Sequence, residues 1–453
     1  MARGPEVRDP LHGAIAVSRE ELGIMDQPLV QRLRHVRQLG FSDLAFPGAV
    51  HNRYLHSIGA MHLAGRAFDS ILEDPLTPSL PPGRRTDFRR MVRAAALLHD
   101  VGHAPFSHAV EFAMPKLEAL RIHAYAGRPD LYPGGRQATH EDYTIKAITD
   151  SSLTAAIEAG GGPPALAVAG LIDPDLPAQP DWYEVGGYDW RPVLQQLISS
   201  ELDVDRMDYL PRDSHFAGVH YGVFDIDWIL NNLATHVVDG RVHLALQDRA
   251  IYAFDDFLLA RFHMFVMVYF HYRSVAYEEM LRQYFAEDGD GWSLPTDIEQ
   301  YAKVDDHHLL SHLRASSNEW ARRIVERREY KLLLERHGTP PEVDLSPLLA
   351  RLERAGIPYI PATSLGVLSK YFDQSKIPAA QESLPLGETS APSGPPPIFV
   401  LQTPYRGSSV RRATHLEQST ALFDRYAGEL GLSRIYVPPE CVGAAGEAIA
   451  DIA

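Results

Sequence analysis

Between Pro28 and about residue 278 the apolar side chains recur every three to four residues, a period that only a helix turns into a continuous face. The stretch QPLVQRLRHVRQL (27–39) sets Leu29, Leu33, Val36 and Leu39 on one stripe with arginines opposite, which predicts an amphipathic helix. RYLHSIGAMHLAGRAFDSIL (53–72) and TDFRRMVRAAALLHD (86–100) predict two more, the second capped by Thr86. PGGRQATHEDYTIKAITD (133–150) predicts a loop entering a helix at the cap Thr139. Helix is predicted again over residues 190–213, 254–285 and 316–338, the last ending at Gly338 with Pro340 beyond it. Residues 160–190, rich in Gly, Pro and Asp, predict a loop-rich insertion, and VVDGRVHLAL (237–246) predicts a hairpin turning at Asp-Gly.

At 453 residues the chain exceeds one typical domain, so a large body with a smaller appendage is expected. Late in the chain, PIFVLQ (397–402) and SRIYVP (433–438) look like short strands bracketing a helix over 415–431. ESLPLGETSAPSGPPP (382–397) reads as a mobile loop. The fold class expected is therefore mainly α with a small mixed α/β C-terminal appendage. The expected division is a core over 1–285, a helical extension packing on it over 286–340, and the appendage over 341–453.

A single cysteine, Cys441, excludes an internal disulfide framework and any thiolate zinc site, and suits a reducing, cytoplasmic compartment. No apolar leader or membrane-length segment is apparent, so no membrane association is expected. A net charge of −16 repels polyanions over most of the surface. Nucleic acid is not an expected partner, and a phosphorylated ligand would need a local basic pocket.

The stretch AAALLHDVGHAPFSHAVE (94–111) places His99, Asp100, His103, His108 and Glu111 at the end of a buried helix. Adjacent side chains on a regular helix diverge by about 100°, so His99 and Asp100 can share an ion only if the helix ends there. Val101-Gly102 supplies that break. Imidazole with carboxylate suits Fe, Mn, Zn, Co or Ni better than Ca. His56, in HNRYLHSIG, and Asp205, in ELDVDRMDYLPRD, are the candidates to complete the set, which would leave coordination positions open for water and substrate. Any one of these histidines alone reads as an ordinary buried side chain.

HNRYLHSIG, LLHDVGHAPFSH, THE and ELDVDRMDYLPRD, in that order, resemble the HD-domain phosphohydrolases. The branch resembled is that of the deoxynucleoside triphosphate triphosphohydrolases, which holds bacterial dNTPases and the vertebrate SAM-and-HD-domain dNTPase. The likeness begins at RDPLHGAIAVS (8–18), runs to about residue 285, weakens to 338 and is faint beyond. It implies an HD-domain helical fold with one metal ion on His56, His99, Asp100 and Asp205, and Mg²⁺ accompanying the nucleotide phosphates. It implies phosphate contacts from Arg53 and Arg206, the second often Lys in relatives. His108 and Glu111 match the pair that delivers a proton to the leaving 5′-oxygen, with Asp the commoner residue at the second position. His103 and His140 match residues that orient water or touch the α-phosphate. Tyr209, Asp213, Gln38 and Leu39 match positions at the sugar, and His271 lies on the substrate-binding helix. The reaction implied is hydrolysis of a dNTP to deoxynucleoside and inorganic triphosphate by metal-activated water attacking the α-phosphorus.

Two positions depart from that pattern. Met267 stands where some relatives have a phosphate-binding Arg, and Val275 where they have a Tyr closing on the 2′ edge of the sugar. Arg273 and Tyr277 are the nearby substitutes, although Tyr277 faces another side of the helix. These departures keep open a phosphomonoesterase acting on nucleoside monophosphates or another small phosphate ester. A nucleotide-sensing regulatory protein is the alternative outside catalysis. Relatives also bind an activating nucleotide between subunits, which implies a homo-oligomer, dimer or tetramer. Asp26, Gln31 and Arg34 match positions that read its guanine edge, with Arg241, Arg328 and Lys331 as phosphate partners. RRIVERREYK, which contains Arg328 and Lys331, also mixes signs as a solvated helix does.

Overall fold

The computed structural model describes residues 4–287, 289–338, 343–367, 396–403, 411–422 and 429–450. The Asn52 side chain accepts from Leu55 N and starts the Arg53–Ile71 helix, which packs along the Pro82–Leu98 helix. Small buried residues (Ala60, Ala64 and Ala67 on the first, Ala94 to Ala96 on the second) allow the two backbones a close approach. The helices Arg191–Ile198 and Val204–Ala217 complete this centre, and one continuous apolar core surrounds it. Each fully buried Leu or Phe in it, such as Leu97 or Phe68, contributes roughly 1.5–3 kcal/mol. Mainly helical architecture is what the periodicity predicts.

Several predicted helices are cut where a side chain offers the backbone a better partner. The second long helix starts at Pro82, so Thr86 is interior and its hydroxyl donates to Pro82 O at 3.1 Å. The helix expected over 27–39 is α-helical only over Pro28–Arg32, followed by one tight turn, Leu33–His35. Beyond it Arg37 N donates to Asp306 and Gln38 N to His51 O, which draws the chain into extended form. The 190–213 helix breaks at Ser199–Asp203, because Asp203 accepts from Ser200 N and Arg206 N and caps a new helix. The 254–285 helix becomes Ile251–Met264, a π-turn over Phe265–Tyr269, and Tyr272–Ala286. Residues 160–190 hold a buried helix, Ala165–Ile172, and a small hairpin of Glu184–Val185 with Tyr188–Asp189. The Thr139 cap forms as predicted, reciprocated by Asp142. The Leu233–Val238/Arg241–Gln247 hairpin also forms, with Asp239 and Gly240 both at positive φ.

The charged helix predicted over 316–338 is the largest correction. Only Glu319–Val325 is helical; Arg327 takes a left-handed conformation, and Lys331–His337 is a strand. That strand pairs antiparallel with Glu429–Val437, which pairs on its other side with Ile360–Val367. The helices Ser346–Arg354 and Val442–Ile449 cover this sheet with a second core of Leu348, Leu352, Ile435, Val437 and Ile449. The strand Phe399–Gln402 instead runs parallel to Arg241–Gln247 and pairs with Arg412–His415, so it extends the sheet of the main body. Of the helix expected over 415–431, Leu416–Gln418 is a tight turn, Ala421 and Leu422 are helical, and Glu429 begins a strand; 423–428 lies outside the described residues. Residues 382–395 of the expected mobile loop, and Pro340, also lie outside them. Among the described residues no single helix is long and apolar enough to cross a membrane.

Candidate metal centre

His99 and Asp100 follow directly on Leu98, where the Pro82–Leu98 helix ends. The break after them is a matter of space. Gly102 does not adopt positive φ, but a Cβ there would lie 2.1 Å from His140 O and 2.3 Å from Thr144 N. Its amide donates to Thr144 Oγ1 (3.0 Å), and that hydroxyl donates to His99 O (3.0 Å), which binds the turn to the His140–Thr149 helix.

His56, one turn into the Arg53–Ile71 helix, and Asp205, in the first turn of Val204–Ala217, meet this end. His56 Nε2 lies 3.3 Å from His99 Nε2, and Asp205 Oδ1 lies 3.0 and 3.3 Å from them. The Asp100 carboxylate stands 3.6 Å from His56 Nε2 and 3.4 Å from His99 Nε2. His56 Nδ1 donates to Asp208 Oδ2 (2.9 Å) and His99 Nδ1 to Ala96 O (2.8 Å). With both Nδ1 protons so used, two Nε2 lone pairs face each other, and a cation between them satisfies both. The donor set thus fits a divalent transition ion. Burial opposes charge on His56, but hydrogen bonds to Asp205 and Asp208 outweigh it and push its pKa up to about 10. Asp208 is fixed in turn by Arg212 (2.7 and 2.9 Å) and by His12 Nε2 (2.7 Å), and Arg212 reaches Asp9 (2.9 Å).

A second imidazole group lies beside the first. The His103 and His140 rings stack with centroids 3.9 Å apart, and His103 Nε2 is 3.2 Å from Asp100 Oδ1. Glu111 bridges two histidines, accepting from His140 Nδ1 at 2.6 Å and His108 Nδ1 at 3.1 Å. Those bonds outweigh burial and hold Glu111 well below the usual carboxylate range. Burial, with Arg53 and His140 adding, depresses His103 well below the usual imidazole value, so it is neutral. His108 leaves 67% of its side chain exposed. Arg53 is buried between the groups, its guanidinium on Asp100 and Ser107 Oγ.

Around them the predicted residues are placed unevenly. Arg206 is buried against Asp203 (2.8 Å). Tyr209 packs edge-on to His56 and Tyr269. Asp213 accepts from His51 Nε2 (2.7 Å) and Tyr269 OH (2.8 Å). Gln38 is buried, its Oε1 without a hydrogen-bond partner among the described residues, and Leu39 is half-buried. His271 caps the Tyr272–Ala286 helix and packs on Phe46. Arg273 is engaged by Leu44 O (2.8 Å) and Glu329 (3.3 Å), while Tyr277 is buried and donates to the same Glu329 (3.0 Å). Neither is thus free to replace the side chains missing at Met267 and Val275. Of the expected effector residues, Arg34 donates to Gln31 (2.8 Å), which donates to Met25 O beside Asp26. Arg241 pairs with Asp189 (3.5 Å), Arg328 with Glu326 (2.8 Å) and Lys331 with the Glu329 that Arg273 also faces (2.7 Å).

His12, His51, Asp208 and Arg261 escaped the sequence reading. Asp208 and Arg212 had a local signal, an i,i+4 pair of opposite charge. His12 and His51 had none, since their partners lie 196 and 162 residues away. Arg261 sits on Ile251–Met264 near Arg206 and Tyr209; burial and the charge of Arg206 lower its pKa.

The HD domain family matches residues 53–152, and the HD associated region matches 224–337. An uncharacterized protein of Methanocaldococcus jannaschii is 29% identical over 342 residues, 76% of this chain and 61% of that protein. The deoxynucleoside triphosphate triphosphohydrolase SAMHD1 of Homo sapiens is 27% identical over 365 residues, 73% of this chain and 54% of that protein. The chain spans 51% to 61% of the length of the curated relatives it matches. A hypothetical protein from Aquifex aeolicus shares the fold at a TM-score of 0.70 and 24% identity, over 98% of this chain and 99% of that one. His99-Asp100 stands at the centre of the segment that matches the HD domain family, residues 53–152, with a donor set suited to a divalent ion around it.

Proposed function

We propose that the chain hydrolyses deoxynucleoside triphosphates to deoxynucleoside and inorganic triphosphate. The observation that carries this is the adjacency of two groups: the His56, His99, Asp205 cluster with Asp100, and the Glu111-bridged pair His108 and His140. A divalent ion held by the first supplies Lewis-acid activation of water and neutralises phosphate charge. Arg53, Arg206 and Arg261 add fixed cations for the phosphates. His108, its Nδ1 donating to Glu111, gives a proton from Nε2 to the 5′-oxygen as it leaves when it is imidazolium, a form that the Glu111 carboxylate supports against burial. Neutral His103 orients water from its place beside Asp100. Tyr209 forms an aromatic wall for the sugar, and the unpartnered Gln38 Oε1 accepts from a sugar hydroxyl.

A second reading, a phosphomonoesterase, is favoured by one observation. Met267 brings no charge and Arg273 is tied to Leu44 O and Glu329, so the polyphosphate end has fewer free cations than the reaction would use. The deciding experiment incubates the purified chain with dNTPs, NTPs and dNMPs under Mn²⁺, Fe²⁺ or Mg²⁺ and separates products by chromatography. Inorganic triphosphate supports the first reading and orthophosphate the second; binding of dNTPs without turnover would make the chain a nucleotide sensor. A His99→Ala, Asp100→Ala chain that kept its metal content and its activity would overturn the assignment of the centre.

A further inference from the structure

Away from the metal centre, a cleft of about 520 Å³ opens between an N-terminal hairpin, Glu6–Asp9 paired with Gly13–Ala16, and the Arg53–Ile71 and Pro82–Leu98 helices. Arg66, Arg85, Arg89, Arg90 and Arg93 line it together with His62, in a chain whose net charge is −16. Such a concentration of one sign is the local basic pocket that a phosphorylated ligand needs on an acidic protein.

The five arginines fall into a floor and a wall. Arg93 is the floor. It is buried, pairs with both oxygens of Glu21 (2.5 and 2.9 Å), and donates to Ala16 O (3.1 Å). The wall is more exposed, with 37% to 52% of the side chains of Arg66, Arg85, Arg89 and Arg90 open to solvent. Its ion pairs are loose or shared: Arg85 and Arg89 divide one Asp69 (3.4 and 2.9 Å), and Arg90 is 3.8 Å from Glu20. Exposed pairs of this kind are worth about 0–1 kcal/mol, so a phosphate displaces them at little loss. Arg66, held by Asp227 at 2.7 Å, keeps further N–H groups for a ligand.

The arginine heads are also built together. A Cβ at Gly65 would lie 2.9 Å from Arg93 Nη1 and 3.1 Å from Arg89 Nη2, so the absence of a side chain there lets two guanidinia gather over one helix. The positive field is felt by His62: burial, then His12, Arg66 and Arg93, depress its pKa to about 4, which leaves a neutral ring in the cleft. From there a short line of contacts reaches the metal centre. The His62 and His12 rings are 5.4 Å apart, His12 donates to Asp208 (2.7 Å), and Asp208 orients the ligand His56 (2.9 Å).

We propose that this cleft is an effector site for a small anion bearing two or more linked phosphates, separate from the metal centre and acting on it through His12 and Asp208. Inorganic polyphosphate and a nucleoside polyphosphate share that chemistry, and the test separates them. The metal-loaded full chain is titrated calorimetrically with sodium tripolyphosphate and, separately, with a non-hydrolysable nucleoside triphosphate analogue. The same titrations are run on an Arg85→Ser, Arg89→Ser, Arg90→Ser chain and on Thr86→Glu, which changes one exposed lining residue and leaves every arginine in place. Expected is a second tripolyphosphate site in the native chain that weakens by about tenfold in both variants. A larger loss for the nucleoside analogue would make the nucleotide the ligand, and an equal loss the polyphosphate alone. In turnover assays, tripolyphosphate should change the rate of the native chain and not that of the triple variant at equal basal activity. Binding unchanged in Thr86→Glu and in a folded triple variant overturns the proposal. An identical rate response in both chains overturns its effector part. The binding arm stands whatever substrate the metal centre turns over.

Discussion

Asp306 is a carboxylate far in sequence from the loop between His103 and His108, whose backbone it holds at Phe106. It is 3% exposed, and its oxygens accept from Phe106 N at 2.7 Å and Arg37 N at 3.0 Å. Phe106 and Ser107 both have left-handed backbones (φ 55° and 60°), a conformation that costs about 1–2 kcal/mol per residue and must be held from outside. Ser107 Oγ donates to Arg37 O (2.5 Å) and accepts from Arg53 (2.7 Å), whose guanidinium grips Asp100. Asp306→Ala leaves two buried N–H groups without an acceptor, roughly 1–3 kcal/mol each.

Against this stands the burial of the carboxylate itself. Burial outweighs the two backbone bonds and raises Asp306 from 3.8 to about 6, which corresponds to about 3 kcal/mol. Because the folded-state pKa is raised, that contribution is present below pH 3.8 and is lost as the pH rises through 6. Asp306→Ala should therefore destabilise by several kcal/mol at pH 4.5 and by far less at pH 8. Asp306→Asn, which removes the same titrating carboxyl and turns an NH₂ toward one of the two donors, should likewise destabilise more at pH 4.5 than at pH 8. Urea denaturation of the three chains at the two pH values measures this directly. A destabilisation equal at both pH values, or larger at pH 8, would refute the reasoning.

Other substitutions test neighbouring links. Glu111→Gln keeps shape but sets an amide NH₂ against one imidazole donor, so kcat should fall by about 10- to 100-fold with metal content unchanged, read by steady-state kinetics and elemental analysis. Gly102→Ala has no room beside His140 O, and its thermal midpoint should drop by an amount equivalent to about 3 kcal/mol or more; a midpoint within a degree of the native chain would contradict the spatial role of this glycine. Arg434 is buried, bonds Glu335 (2.7 Å) and donates to Phe270 O (2.6 Å), joining the C-terminal sheet to the bend before His271. Arg434→Met should destabilise by about 3–5 kcal/mol in chemical denaturation, because Glu335 and a carbonyl lose their cation.

What was legible in the sequence follows from how local each cause is. His56, His99, Asp100 and Asp205 stand out as candidate ligands because coordination restricts the residue types, and each sits in a short segment whose own helix end or first turn presents it. The Thr139 cap and the Asp239-Gly240 turn were legible for the same reason, since all the atoms involved lie within four residues. The strand Lys331–His337 was not. Three consecutive leucines between charged residues suit a helical stripe or a strand equally, and its pairing with residues about a hundred positions on decides between them. The orientation of the ligands was no more accessible. Asp208 presents His56 only because Arg212 and His12 hold it, and the loop after Asp100 keeps its shape because Tyr301 OH donates to Gly102 O, Arg32 to His103 O, and Phe106 N to Asp306. Tyr301 and Asp306 belong to the HD associated region, outside the segment that carries the His-Asp pair. The His-Asp pair thus comes from one part of the chain, and the strained loop that follows it is restrained by another.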